Sequence, residues 1–171
     1  MHKSLVWTAA GCCLLAVAIA ALAQSMRKPG LWEMTTNMTW QQSPLPPGMT
    51  MPPGANSPFG GGPRITEVCL TQAMIDKYGA PTPQSRNGEC QISNVALKAT
   101  GMTADWICTG RMAGKGTVES SWTDPNHATG KVHFIGNMQM GPDSRTIEYT
   151  IESSSVYKGP DCGSVKPLPV N

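Results

Sequence analysis

From Lys28 to Trp40 the chain alternates. Trp32, Met34, Met38 and Trp40, with Thr36 among them, fall on one side, and Leu31, Glu33, Thr35, Asn37 and Thr39 on the other. A period of two held over ten residues predicts a half-buried β-strand. The stretch from 41 to 63 breaks that pattern. It is rich in Pro, Gly and Met and nearly free of charge, so it reads as a loop or extended linker with no ladder or helix. Ile65 to Leu70 predicts a second, shorter strand. Thr71 then offers a helix N-cap and Gly79 a C-terminal stop, with Ala73, Met74 and Tyr78 as the expected buried stripe of a two-turn helix held by packing.

After a loop through residues 80–89 the pattern becomes a meander. Strands are predicted at 90–98, 102–109, 116–123, 131–139 and 145–156. Their connectors are Thr100-Gly101, Ala113-Gly114, Asp124-Pro125-Asn126 and Gly141-Pro142-Asp143. The clearer strands are apolar on one face only: Met102, Ala104, Trp106 and Cys108 in one, Val132, Phe134, Met138 and Met140 in another, Ile147, Tyr149 and Ile151 in the last. One-sided strands joined by short turns predict a mainly β fold. It is an antiparallel meander sheet, curved or barrel-like, with one short α-helix.

The cysteines staple this sheet. Residues 1–23 have a basic start, an apolar run and an Ala21-Leu22-Ala23 exit, which predicts a Sec-type signal peptide and a single β-rich domain over 24–171. Ala9-Ala10-Gly11-Cys12 is loosely lipobox-like, but the apolar run continues well past Cys12, so cleavage after Ala23 is the reading. Cys69, Cys90, Cys108 and Cys162 remain, an even number suited to two disulfides in an oxidising compartment. No close pair suggests a structural metal site. Cys90 and Cys108 are nearly equidistant from the turn at 98–101, so antiparallel pairing sets them opposite each other. That predicts Cys90–Cys108 and leaves Cys69–Cys162 to hold the tail. Loop-closure entropy gives these bridges about 3 and nearly 5 kcal/mol, as upper figures.

Charge excludes some partners. Of 13 Lys and Arg one, Lys3, lies in 1–23, leaving 12 against 11 Asp and Glu with no run of either sign. Such a surface gives no footprint for nucleic acid or anionic lipid, and no later stretch is apolar enough to anchor in a bilayer.

The segments "KPGLWEMTTNM", "VCLTQAMIDKY", "CTGRMAGKG" and "KGPDCG" resemble a bacterial exported family, the domain of unknown function 3617, over essentially the whole mature chain. The match is weakest in the 41–63 insertion. The resemblance implies a periplasmic or secreted setting and a small β-rich domain. It brings no activity and no catalytic residue.

Enzyme chemistry finds little support in the residues. His127 falls in a turn and His133 on a polar strand face, while Ser153-Ser154-Ser155 lacks a nucleophile-elbow context and reads as solvated sheet surface. Glu119, Glu148 and Glu152 read as a solvated β-face. "FGGGPR" lacks the Lys-Ser/Thr and helix of a phosphate loop, and the cysteine spacing does not suit thiol redox work. Asn37-Met38-Thr39 is a chance sequon in a bacterial setting. The leading expectation is a non-enzymatic binding or structural module of the cell envelope with no cofactor. Trp32, Met34, Met38, Trp40, Trp106, Phe134 and Tyr149 would line an apolar ligand slot, or fill one another's space as core. An envelope protein could instead dock at a sheet edge or along the Pro-rich loop. The alternative from another class is copper, on soft thioethers at Met49 and Met51, since Met138 and Met140 of the second Met-x-Met fall on an apolar face. An unrecognised hydrolase is third, with no residues to name.

Overall fold

The computed structural model describes residues 27–46, 48–49, 62–79 and 89–167. The expected signal peptide, most of the 41–63 insertion including Met51, and residues 80–88 lie outside the described residues. The elements are β1 (Gly30–Gln42), β2 (Arg64–Leu70), α1 (Gln72–Tyr78), β3 (Cys90–Lys98), β4 (Gly101–Thr109), β5 (Met112–Asp124), β6 (His127–Met140) and β7 (Asp143–Gly159). They form one seven-stranded sheet in the order β2-β1-β7-β6-β5-β4-β3, and every neighbouring pair is antiparallel. β3 to β7 are consecutive hairpins. β1 pairs on the far side of β7, and β2 lies outside β1.

The sheet curls strongly. β1 and β3 are five strand spacings apart in that order, roughly 24 Å if the sheet were flat. Yet Met38 and Trp40 of β1 and Ile92 and Val95 of β3 pack against the same buried cluster. The helix supplies the second sign. α1 follows β2 at one edge, but a β-carbon at its cap residue Gly79 would lie 2.6 Å from the Trp122 ring of β5 and 3.1 Å from Leu97 of β3, the opposite edge. So the sheet is a curl whose edge strands, β2 and β3, do not pair with each other, and α1 bridges them at one end.

The helix begins as its sequence suggests. The Thr71 side chain accepts a hydrogen bond from the Met74 backbone N–H, and Gly79 ends it with φ +66°. Its buried stripe is different. Met74, Ile75 and Tyr78 are buried, and Ala73 is exposed. One helical residue is 100° of rotation, so the stripe is centred one position later than expected.

Four other expectations change. Ala113 and Gly114 are not a connector: they lie inside β5, and the chain reverses at Gly110–Arg111. Gly114 is there for an aromatic ring, since a β-carbon on it would lie 2.8 Å from Phe134, and one on Gly136 across the ladder would also lie 2.8 Å from that ring. Met140 is 37 % exposed at the end of β6 and leaves the core to Met138, which is partly buried. Ser155 of the triple serine is buried, 6 % exposed, because it shares the inward parity of Ile147, Tyr149 and Ile151. β1 also runs to Gln42, two residues into the expected loop.

Both disulfides are Cys69–Cys162 and Cys90–Cys108, as the hairpin spacing predicts. Cys90 and Cys108 are direct register partners on β3 and β4. The tail is held further by a parallel bridge between Cys69 and Pro167.

Candidate functional site

Antiparallel registers stack the inward side chains into rows that cross the whole curl. One row is aromatic: Trp40, Tyr149, Phe134, Gly116, Trp106 and Ile92 are successive partners from β1 to β3. Phe134 is fully buried and stacks on Tyr149 at 5.1 Å, while Trp40 meets Tyr149 edge-on at 5.3 Å. Burial pushes the Tyr149 hydroxyl up, and a hydrogen bond with Trp106 opposes that shift. The same hydroxyl reaches the Met112 sulfur at 3.9 Å. On the side of this row away from α1 lie the Cys90–Cys108 bridge and then Met112 opposite Met138.

Towards α1 the rows shrink. The next is Met38, Ile151, Val132, Val118 and Ala104; after it come Thr36, Ser153, Gly130, Ser120, Met102 and Leu97. Thr36, Ser153, Gly130 and Ser120 are small, and each stays half-buried although Val132 and Val118 one row away are closed off. Beyond this belt a second cluster forms from Trp32, Leu70, Met74 and Ile75, with Tyr157 against it. Of the residues expected to line a slot, Trp106, Phe134 and Tyr149 with Met38 and Trp40 therefore come together in one cluster, and Trp32 lies in the other. Met34 is partly buried opposite Ser155, on the α1 side of the belt.

The start of the described chain closes the α1 end. Gly30 has φ +134°, and a β-carbon there would lie 2.9 Å from the Pro160 backbone, so only glycine makes this bend beside β7. The bend throws Lys28 and Arg27 back across the opening. The Trp32 indole N–H donates to the Lys28 carbonyl at 3.0 Å, the Lys28 ammonium donates to Asn126 at 3.0 Å, and the Tyr157 hydroxyl donates to the Pro29 carbonyl at 3.4 Å. Arg27 is 3 % exposed, with its guanidinium 4.4 Å from the Trp32 ring centre and 5.5 Å from that of Trp122. Burial pulls its pKa down to about 10.

The outer face carries the other polar groups. His133 Nε2 lies 3.0 Å from Glu148 Oε1, with both side chains more than a third exposed. Lys131 stands in register between Glu119 and Glu152. Thr117, Glu119, Lys131, His133 and Thr150 line a shallow hollow of 390 Å³. A larger one of 480 Å³ shares Glu119 and Lys131, reaches Thr103, Ser121, Thr129 and Glu152, and is lined also by Met102, Ser120, Gly130 and Ser153. The register neighbours of His133 are Thr117 and Thr150, and the buried Ser155 faces the opposite side of the sheet. His127 serves its turn: its Nδ1 lies 3.0 Å from both oxygens of Asp124, which also accepts the backbone N–H groups of Asn126 and His127.

Met49 is 58 % exposed, and no group of three His, Cys, Asp or Glu that could hold a metal occurs among the described residues. The sequence reading missed Arg27, Met112, Trp122 and the small belt. Trp122 was within reach, being four residues after Val118 on the same face. A lone arginine before the first strand carries no such signal.

The family model described as "Protein of unknown function (DUF3617)" matches residues 27–162, from the buried Arg27 to the tail cysteine. The chain belongs to this family. No curated protein and no solved structure matches it. Among the described residues of this DUF3617 protein no helix is long and apolar enough to cross a membrane.

Proposed function

We propose that this DUF3617 protein is an exported, non-enzymatic binding module of the cell envelope that holds an apolar ligand inside its curl. One observation carries the reading. The inward face is large and aromatic at Trp40, Tyr149, Phe134 and Trp106, then on four strands drops to Thr36, Ser153, Gly130 and Ser120, with the buried Met102 next to them on β4, before becoming large again at Trp32. A core that only had to fill itself would keep bulk in the middle, where burial stabilises most. The belt sets small side chains between two apolar clusters, with α1 packed across the same end, and few polar groups suffice to orient an apolar guest. Two disulfides and a meander hold the scaffold together without a ligand. Export rests on the apolar leader of residues 1–23 and on the bridges.

Native mass spectrometry of the protein purified from its own periplasm tests this. A retained mass of lipid size is the expected result. A bare chain with a dry interior removes the slot, and a copper-sized increment moves the function to the thioethers.

A further inference from the structure

Arg27 lacks an acceptor. Its Nε, Nη1 and Nη2 are all buried without a hydrogen-bond partner, although the residue is 3 % exposed. A guanidinium carries five N–H donors in a planar fork, and leaving them dry is among the costliest arrangements a fold can hold. Two indoles partly compensate. Trp32 and Trp122 lie against the group at 4.4 and 5.5 Å, which favours the charge through their ring faces but offers no oxygen to the fork. The charge itself persists: with a pKa pulled down to about 10 by burial, the group is still cationic at neutral pH.

Among the described residues none supplies the missing anion. Residues 24–32 contain no Asp or Glu. Glu33, the next acid, faces away and meets Lys158 at 3.5 Å, while Asp124 is engaged by His127 and two backbone N–H groups. Meanwhile Trp122 stands two residues after Ser120 on the same strand face, so the arginine sits at the α1 end of the small-residue belt.

We infer that Arg27 is the recognition point for the carboxylate head of an amphiphilic ligand whose apolar remainder lies along the belt of Thr36, Ser153, Gly130 and Ser120. This rests on the reading of the belt as a ligand slot. A carboxylate matches the fork in its own plane and accepts two parallel N–H bonds, beside the two indoles that already lie against the group. Burial strengthens that pairing, because water no longer competes.

The test uses the mature, oxidised protein with decanoate and decanol as probes, each below its aggregation concentration, followed by indole fluorescence. Decanoate binding at least ten-fold tighter than decanol is expected, with Arg27→Met reducing decanoate to the level of decanol and Arg27→Lys falling between. Circular dichroism confirms that each variant is folded. Equal affinities for the two probes in the unaltered protein overturn the inference and leave an apolar slot standing. No binding of decanoate, or a folded Arg27→Met that binds it undiminished, also overturns it. The comparison of probes on the unaltered protein decides the matter even if Arg27→Met fails to fold, and the native mass measurement judges the slot separately.

Discussion

Ser120 is the residue at which a packed interior and a receptive one make opposite predictions. Its neighbours across the ladders are Met102 and Gly130, and Gly130 in turn faces Ser153. If this belt is open in the unliganded protein, Ser120→Leu buries a new side chain and stabilises the fold by about 1–2 kcal/mol. If the belt is already filled, the same change overpacks it and costs about 1–3 kcal/mol. The slot requires the first outcome, read as an upward shift of the urea midpoint, together with loss of any co-purifying apolar ligand. A destabilised variant that still carries its ligand would sink the belt as the binding region. Serine was visible here from the start, because residues 118, 120 and 122 share a face. The sequence does not show that small residues on four strands line up, since that needs the register.

At the scale of elements, the turn between β5 and β6 is locked by one carboxylate. The Asn126 backbone N–H is the main cause that holds Asp124 below the usual carboxylate range; desolvation opposes it, and His127 adds its side chain, its charge and its own N–H. Because the folded pKa is depressed, the contribution is present above the unfolded pKa and fades as pH falls through the folded one. The urea midpoint of the native protein should therefore fall towards that of Asp124→Ala on acidification below about pH 4, and the two should stay apart above it. A gap that does not change with pH would mean the ionised carboxylate is not what locks the turn. Element boundaries were legible wherever parity and turn residues agreed, as in the Cys90–Cys108 pairing. They failed where one residue served two rules. Gly114 looks like a turn residue but makes room for Phe134, and Asn94 takes φ 52° in β3, where the register shifts and leaves Ile92 and Val95 both towards the core. Ala73 and Ile75 are both apolar, and only the docking surface shows which of them is buried.

For the whole molecule, the curl is the property that sequence periodicity could not supply. Alternation says that a strand has a dry side, but a flat sheet, an open curl and a closed barrel all satisfy it. What decides is that α1, leaving β2 at one edge, reaches Leu97 on β3 at the other. The Cys69–Cys162 bridge fixes the same end, because it ties the last residue of β2 but one to the tail beyond β7 across a separation of 93 residues. Cys69→Ser paired with Cys162→Ser should cost nearly 5 kcal/mol at most by loop-closure entropy, against about 3 for losing Cys90–Cys108. Chemical denaturation of the two double variants checks the order. A larger loss from the short bridge would show that the meander, and not the docking of β2 and the tail, limits stability.

The position of β1 between β2 and β7 has a kinetic consequence. Glu33 and Lys158, which meet across that pair, are 125 residues apart in the chain. A polypeptide made from its amino end thus exposes its most tryptophan- and methionine-rich strand long before the partner strand exists. The hairpins of β3 to β7 can zip locally, but the seam with β1 has high contact order and must form last. Until then the strand's apolar face lacks its β7 cover, so a chain stalled short of β7 becomes an aggregation hazard rather than a smaller version of the fold.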